Sequence, residues 1–392
     1  MKIINFESVA LVHRIFTEGK RKKGGADKII EYISNFKNVL LIEHPLSALK
    51  ETTSQSFHGV VVSKVAGGKI EELERVRLPV LPIPLNWILE LFFNIFYIFK
   101  NIPGNPVLIS ADPLNAITGA IIPWKFSKKY FHCVDFSEKR FNSRILNFFY
   151  RTVFNISLRA SDIVGVVSNR ILDRIKSSGG KKNKETYLLY VPNSPEFKNV
   201  PLDKKEPSSI ICTGGAIIEK YDYEKIVEVV RGVKPAIPNL KFYAVGGLEQ
   251  DLAYVRKIKG LISKYNLTKN FIFTGFLDPK EVESLLIKSK VGISFYSESV
   301  SYYTYFGDSL KIREYALYGI PTIGDGNSAT DKEMCDAGAG ILARSIEDAS
   351  VGVLNFLTND RLFNEYQKNC IFWAKSMDKS KILKNLYGKL FS

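Results

Sequence analysis

Residues 307–321 read Gly307-Asp308-Ser309-Leu310-Lys311-Ile312-Arg313-Glu314-Tyr315-Ala316-Leu317-Tyr318-Gly319-Ile320-Pro321. Asp308 or Ser309 can cap a helix here and Gly319 can end it, with a strand following at once. At ~100° per residue Lys311, Glu314 and Tyr318 fall within about 60° of one another, so a cation and a carboxylate share one stripe. Near the helix N-terminus, Lys311 and the free amides favour a diphosphate, the dipole adding roughly 0.3–1 kcal/mol per well-placed negative charge. One turn on, the two oxygens of Glu314 suit the paired hydroxyls of a ribose. A solvated Lys/Glu pair at i, i+3 has the same spacing and is worth only ~0.2–0.5 kcal/mol. The surroundings decide between the two.

Outward from this stretch, apolar runs of strand length alternate with amphipathic helical stretches, the pattern of parallel sheets flanked by helices. The second half predicts strands at 210–213, 240–245, 271–274, 291–295 and 320–323. Ligands of such sheets bind at the carboxyl ends of the strands. Those ends carry Gly214-Gly215 with Lys220 soon after, then Gly246-Gly247, then Gly275-Phe276. Glycine there lets backbone approach a ligand and exposes amides to anions, although plain turn chemistry also favours it. The first half predicts strands at 2–6, 39–43, 59–65, 107–111, 129–134 and 163–168, with helices at 25–36, 86–99, 142–160 and 169–177. A surface turn over Ser177 to Lys184 leads to a strand at 187–191. Pro192-Asn193-Ser194-Pro195 then marks a domain boundary. The last helices are expected at 360–375 and 379–391.

At 392 residues the chain exceeds the roughly 250–300 at which one core stops growing, so two domains are expected. The net charge of +15 is uneven: residues 1–200 hold 29 Lys+Arg against 17 Asp+Glu, and the remainder 26 against 23. That bias points to an anionic partner, or to a Lys-rich proteome. Cys133, Cys212, Cys335 and Cys370 show no metal-ligand spacing, and no signal-like apolar segment follows Met1, so a cytoplasmic location is expected. The run Leu85 to Phe99 is aromatic-rich but short of the ~20 apolar residues that span a bilayer, and it contains Glu90 and Asn94. It reads as a helix buried against a sheet, or as an interfacial one with Lys100, Lys125, Lys128 and Lys129 meeting anionic lipid.

Gly214 with Lys220, Gly275-Phe276, and the Lys-x-x-Glu-Tyr-Ala-x-x-Gly-x-Pro run over Lys311–Pro321, in this order, resemble the C-terminal domain of GT-B glycosyltransferases, family 4 (glycosyl transferases group 1). Val191-Pro192-Asn193-Ser194 resembles the interdomain segment, Gly24-Gly25-Ala26 the loop opening the first helix, and Tyr130 to Phe136 with Asp162 to Ser168 the acceptor-side strands. The resemblance implies an α/β fold of two Rossmann-like, doubly wound domains facing a cleft. It places an acceptor-binding domain at 1–195, a nucleotide-sugar domain at 196–372 and a terminal helix, 373–392, returning toward the first. It implies that Lys220 and Lys311 hold the donor diphosphate, Glu314 the ribose and Gly275-Phe276 the base, with Gly214 and Gly246 at the approach.

Two positions depart from the family pattern. Gly215 stands where members often have Arg, and Phe306 where many have a second Glu; Glu298 or Asp308 is the candidate replacement. Asp135, after strand 129–134, is the candidate polar group at the reacting centre, against the commoner role of a helix cap. His13 and His132 are weaker candidates. Gly24 and Gly25 follow Lys20-Arg21-Lys22-Lys23 and could grip an acceptor phosphate, or form a solvated loop. No Asp-x-Asp motif is present, so no metal and no cofactor are expected, and the leaving diphosphate falls to lysines and amides. The expected function is transfer of a sugar, with retention, from a nucleotide-diphosphate sugar to a hydroxyl of a lipid-linked or cell-surface polysaccharide precursor, possible peripheral contact with an anionic membrane included. The alternatives are a catalytically inactive nucleotide- or membrane-binding partner and, from charge alone, a nucleic-acid binder, which no basic-aromatic or helix-turn-helix pattern supports.

Overall fold

The computed structural model describes residues 5–17, 20–21, 24–46, 57–177 and 187–392. The chain forms two units, Met1–Val191 with Ile382–Ser392, and Pro192–Lys381. The expected turn over Ser177 to Lys184 lies, beyond its first residue, outside the described residues.

The first unit holds β1 (Ser8–Arg14), a short antiparallel ribbon of β2 (Phe16–Thr17) and β3 (Lys20–Arg21), then β4 (Val39–Pro45), β5 (Gly59–Ala66), β6 (Lys69–Arg77), β7 (Val107–Ser110), β8 (Lys128–Cys133), β9 (Ile163–Val166) and β10 (Tyr187–Tyr190). Its main sheet runs β10-β9-β8-β7-β1-β4-β5-β6, parallel except where β5 joins β4 and β6 joins β5. The first strand expected at 2–6 is displaced: residues 1–4 lie outside the described residues, Asn5–Phe6 are not strand, and Ser8–Arg14 takes the central position. Val9, Ala10, Leu11 and Val12 are all buried there, because helices cover both faces of a central parallel strand. β6 is an unexpected edge strand. Its charged, mostly exposed KIEELERVR sequence protects the sheet margin. Gly67 (φ 55°) and Gly68 (φ 73°) make the two-residue turn that leads into it.

One face of this sheet, with Ala10, Val12, Ile109 and Tyr130, packs on the helix Asp27–Ser34 and on Leu383, Leu386 and Leu390 of the last helix. The other face, with Val9, Leu11, Val60 and Leu108, packs on Tyr97 and Ile98 of the helix Ile83–Asn101. Phe131 on that face meets Phe154 of the helix Arg144–Ala160 edge to face at 5.8 Å. The helix Ile83–Asn101 is apolar and long enough, at 19 residues, to cross a membrane by length and composition. Its polar side chains instead tie it to the sheet: Glu90 pairs with His13 of β1 at 3.0 Å, and Asn94 with His44 of β4 at 2.7 Å.

The second unit holds β11 (Ser209–Ala216), β12 (Lys241–Gly247), β13 (Phe271–Gly275), β14 (Val291–Ser294), β15 (Thr322–Gly324) and β16 (Gly340–Leu342). They form one parallel sheet in the order β13-β12-β11-β14-β15-β16. The order reverses between β11 and β14, and crevices at such switch points hold ligands. β16 is a further strand with no counterpart among the expected ones. Ile210, Phe242 and Ile293 pack on one side with Val227 and Val353. Ile211 and Val245 pack on the other with Ile312, Tyr315, Cys370 and Trp373. The helix Asp360–Ser376 lies in this unit, whereas the last helix, Lys379–Phe391, enters the first unit from Ile382 onward.

Candidate functional site

At the switch point of the second unit, a cavity of about 420 Å³ is lined by Gly214 on β11 with Lys220 and Tyr221 beyond it, Gly246 on β12, Gly275 at the end of β13 with Phe276 beyond it, Tyr296 after β14, and Asp308, Ser309, Lys311 and Glu314 at the helix Leu310–Leu317. The three glycine turns and the lysine-glutamate stripe thus meet in one place. Tyr318, on the same stripe, does not line the cavity; it lies by Lys198. Gly246 permits a close approach of two strand ends, since a Cβ there would stand 2.6 Å from the Gly214 carbonyl oxygen. At Gly247 a Cβ would overlap the Phe276 ring at 2.3 Å, so the two glycines let Phe276 lie across the end of β12. The ring itself is 66% exposed and offers a stacking surface.

Lys311 is 9% exposed. Its Nζ sits 4.6 Å from the Tyr221 ring and 4.7 Å from the Tyr296 ring and has no hydrogen-bond partner among the described residues. Burial holds both phenols above their ordinary range, so the rings are neutral. Cation-π contact with two rings returns about 0.5–2 kcal/mol each, less than the several kcal/mol that burying an ammonium takes. The cavity therefore carries a surplus positive charge that an anion would neutralise. Lys220, whose Nζ lies 5.4 Å from the Tyr221 and Tyr303 rings, adds a second cation. Glu314, one turn beyond Lys311, is raised above the usual carboxylate range by burial first, with Lys198 opposing and Glu283 reinforcing.

Asp308 behaves differently from the expectation for a sugar ligand. Its side chain is fully buried, and it accepts from Arg313 Nε at 2.7 Å, from Thr330 Oγ1 at 2.9 Å and from the Asn193 amide. Arg313 continues to Glu333 at 2.7 Å. Asp308 is thus a bolt that fixes the start of the helix, and its oxygens are taken. Ser309 is held likewise, its amide donating to Thr330 Oγ1 and its hydroxyl accepting from Tyr296. Neither Glu298 nor Phe306 lines the cavity: Glu298 is exposed and Phe306 packs edge-on against Tyr305 at 5.1 Å. Asp331 is fully buried and raised to about 7, by burial first and Asp325 next, with the Ser328 hydrogen bonds and Lys311 opposing. Tyr221 and Tyr296 were not singled out from the sequence. The signal available was their position, directly after Lys220 and directly after the β14 run.

The candidates of the first unit each have partners of their own. Asp135 follows β8, is mostly exposed, and is bound by both Nη atoms of Arg140 at 2.9 and 3.3 Å. Gly24 donates its amide to the Asp27 carboxylate, which also holds Arg14 at 2.8 Å and Arg21 at 3.0 Å. The turn Gly24-Gly25 is therefore closed by its own anion, which opposes a phosphate at the Gly24 amide. Lys22 and Lys23 lie outside the described residues. His132 is buried with Nδ1 2.9 Å from the Tyr130 hydroxyl. His13 is clamped between Asp112 at 2.7 Å and Glu90 at 3.0 Å; burial alone would lower its pKa, but the two carboxylates raise it to about 10. Of the lysines expected to meet lipid, Lys125 is buried and caps the end of Ile83–Asn101 by donating to Ile102 O, Lys129 pairs with Asp162, and Lys128 donates to Lys389 O.

Residues 193–371 match the family model described as glycosyl transferases group 1. No curated protein matches the chain. Among solved structures, Anabaena HepE in complex with UDP and glucose shares 13% identity at a TM-score of 0.68, covering 98% of this chain and 99% of that one. WaaG, a glycosyltransferase involved in lipopolysaccharide biosynthesis, shares 11% at 0.64 over 98% and 100%. TarM from S. aureus shares 14% at 0.57 over 86% of this chain, which spans 62% of the length of TarM. At these identities the likeness shows the fold, two parallel-sheet domains of the GT-B type.

Proposed function

We propose, from the match of residues 193–371 to the glycosyl transferases group 1 model, that the chain is a glycosyltransferase that moves a hexose-type sugar from a nucleotide-diphosphate sugar to a hydroxyl of a lipid-linked or cell-surface polysaccharide precursor, at the cytoplasmic face of a membrane. The observation that carries the donor half is the buried Lys311 ammonium, held by two neutral rings without a hydrogen-bond partner among the described residues, in a cavity sized for a nucleotide. A diphosphate bridging Lys311 and Lys220 satisfies that charge. Glu314 accepts from the ribose hydroxyls, and Phe276 stacks on the base. The bond from the anomeric carbon to the diphosphate oxygen breaks, and the same carbon bonds to the acceptor oxygen, whose proton leaves with the product diphosphate or with water. Lysines and amides stabilise the departing charge without a metal ion. Retention of configuration follows the family resemblance. UDP is the favoured nucleotide because HepE was solved with it, and a precursor of the lipopolysaccharide kind is favoured by the likeness to WaaG.

The test is a thermal-shift series with UDP, GDP and ADP. A nucleotide at 100 times its dissociation constant adds roughly 2.7 kcal/mol of stability, with UDP moving the midpoint most. If none of the three moves it, the donor site is wrong. Turnover of a UDP-sugar panel with a lipid-phosphate acceptor then tests the transfer itself.

A further inference from the structure

The helices Ile83–Asn101 and Arg144–Ala160 cover the same face of the first unit's sheet, one through Tyr97 and Ile98 and the other through Phe154 against Phe131. Trp87 of the first meets Tyr150 of the second at 6.5 Å, with Phe141 between them. Opposite their buried sides both helices expose aromatic rows. Ile88, Phe92, Phe96 and Phe99 recur at three- and four-residue spacing along one helix, with Phe92 57% exposed. Phe148 and Phe149 stand out from the other, Phe148 at 61%. Isolated exposed apolar residues are ordinary, but rows of this kind on neighbouring helices mark an interaction face.

Charge chooses the occupant. Residues 78–161 hold nine Lys+Arg against four carboxylates: Glu90 and Asp112 are buried against His13, Asp135 is held by Arg140 and Glu138 by Arg174. The exposed cations there include Lys139, Arg144, Arg151 and Arg159. An aromatic face rimmed by arginine, its nearby carboxylates either buried or already paired with a cation, as Glu74 is with Lys100, is complementary to an apolar layer bounded by anions. A second copy would set this cationic rim against itself. We infer that this two-helix face of the first unit docks on an anionic phospholipid bilayer, the aromatic rows entering the headgroup boundary and the arginines meeting lipid phosphates. The inference deepens the reading that the acceptor is lipid-linked, and it replaces the lysines of the sequence expectation with the arginines of Arg144–Ala160.

The full chain is sedimented with phosphatidylcholine vesicles, alone and with about 30 mol% phosphatidylglycerol, at about 0.1 M and about 0.5 M salt. Binding is expected only to the anionic vesicles and is weakened by salt. Phe92→Ser with Phe148→Ser, and separately Arg151→Glu, each reduce the partition coefficient, the pair by about tenfold or more, while far-UV circular dichroism and the nucleotide-free melting midpoint stay near those of the unaltered chain and show that the variants are folded. A chain that stays in the supernatant with anionic vesicles overturns the inference. So does a concentration-dependent dimer in light scattering that the Phe variants abolish, which would give the face to a second copy. Because vesicle binding is read without donor or turnover, its failure leaves the donor reading standing, and a failed UDP shift leaves this one standing.

Discussion

Lys311 concentrates what a single side chain contributes to this molecule. A buried ammonium without a hydrogen-bond partner among the described residues burdens the empty site and helps the filled one. Lys311→Met is therefore expected to hold or raise the melting temperature of the nucleotide-free protein, to abolish the UDP shift, and to lower turnover by about 10²–10³-fold. A drop in the nucleotide-free melting temperature would mean that Lys311 is a structural group instead. Glu314 gives a pH signature. Its folded pKa lies above the unfolded one, so its neutral form is favoured in the fold and its stability contribution is lost as pH rises through the raised value. Ribose recognition wants the opposite, the ionised form. Donor affinity should then fall with acidification in the window just above pH 4.5 while nucleotide-free stability rises. Glu314→Gln should flatten both curves and raise the KM for donor. The lysine-glutamate stripe was legible because helical spacing alone puts the two side chains together. Its meaning was not, since what separates a nucleotide site from a solvated pair is burial, and burial comes from Tyr221 and Tyr296, brought in by other strands. Asp308 shows the converse: at a helix start it looks available, and only Arg313 and Thr330, packed behind it, show that it is spent.

Elements place these side chains with sub-ångström demands where strands end. Gly246→Ala puts a methyl 2.6 Å from the Gly214 carbonyl oxygen. The ends of β11 and β12 must part to admit it, so a loss of roughly 1–3 kcal/mol in denaturant titration and a weakened UDP shift are expected. An unchanged midpoint and shift would show that the two ends tolerate separation. Asp331, in the capping box of the helix Ala329–Asp336, supplies an element-level pH response. With its pKa raised from 3.8 to about 7, its contribution is present at low pH and disappears as pH rises through 7. Asp331→Asn should remove that slope from the stability profile between about pH 4 and 7. The same level explains which strands could be read in advance. β4, β7, β11 and β12 are apolar runs bounded by turns. β6 is charged because it is an edge, and β16 is three residues that pair only because β15 is already in place. Non-local pairing of this kind leaves little local signal.

At the scale of the molecule, the two units differ in what they ask of the sequence. The second keeps its proposed donor site within one sheet and its covering helices. The proposal that diphosphate departure relies on lysines and amides predicts that exhaustive chelation leaves turnover within about twofold of the untreated rate; a loss restored by added Mg²⁺ or Mn²⁺ would reject it. The first unit, by contrast, is assembled from the two ends of the chain, Leu383, Leu386 and Leu390 filling the core beside Ile29, Ile33 and Ile109. A synthesising ribosome delivers those leucines only after the second unit. With ~190 residues intervening and about 5–20 residues added per second, the N-terminal sheet must wait roughly 10–40 s, one flank uncovered, before its final helix emerges. During that interval the second unit can finish folding while the first remains a client for chaperones, so the half of the protein made first is the half completed last.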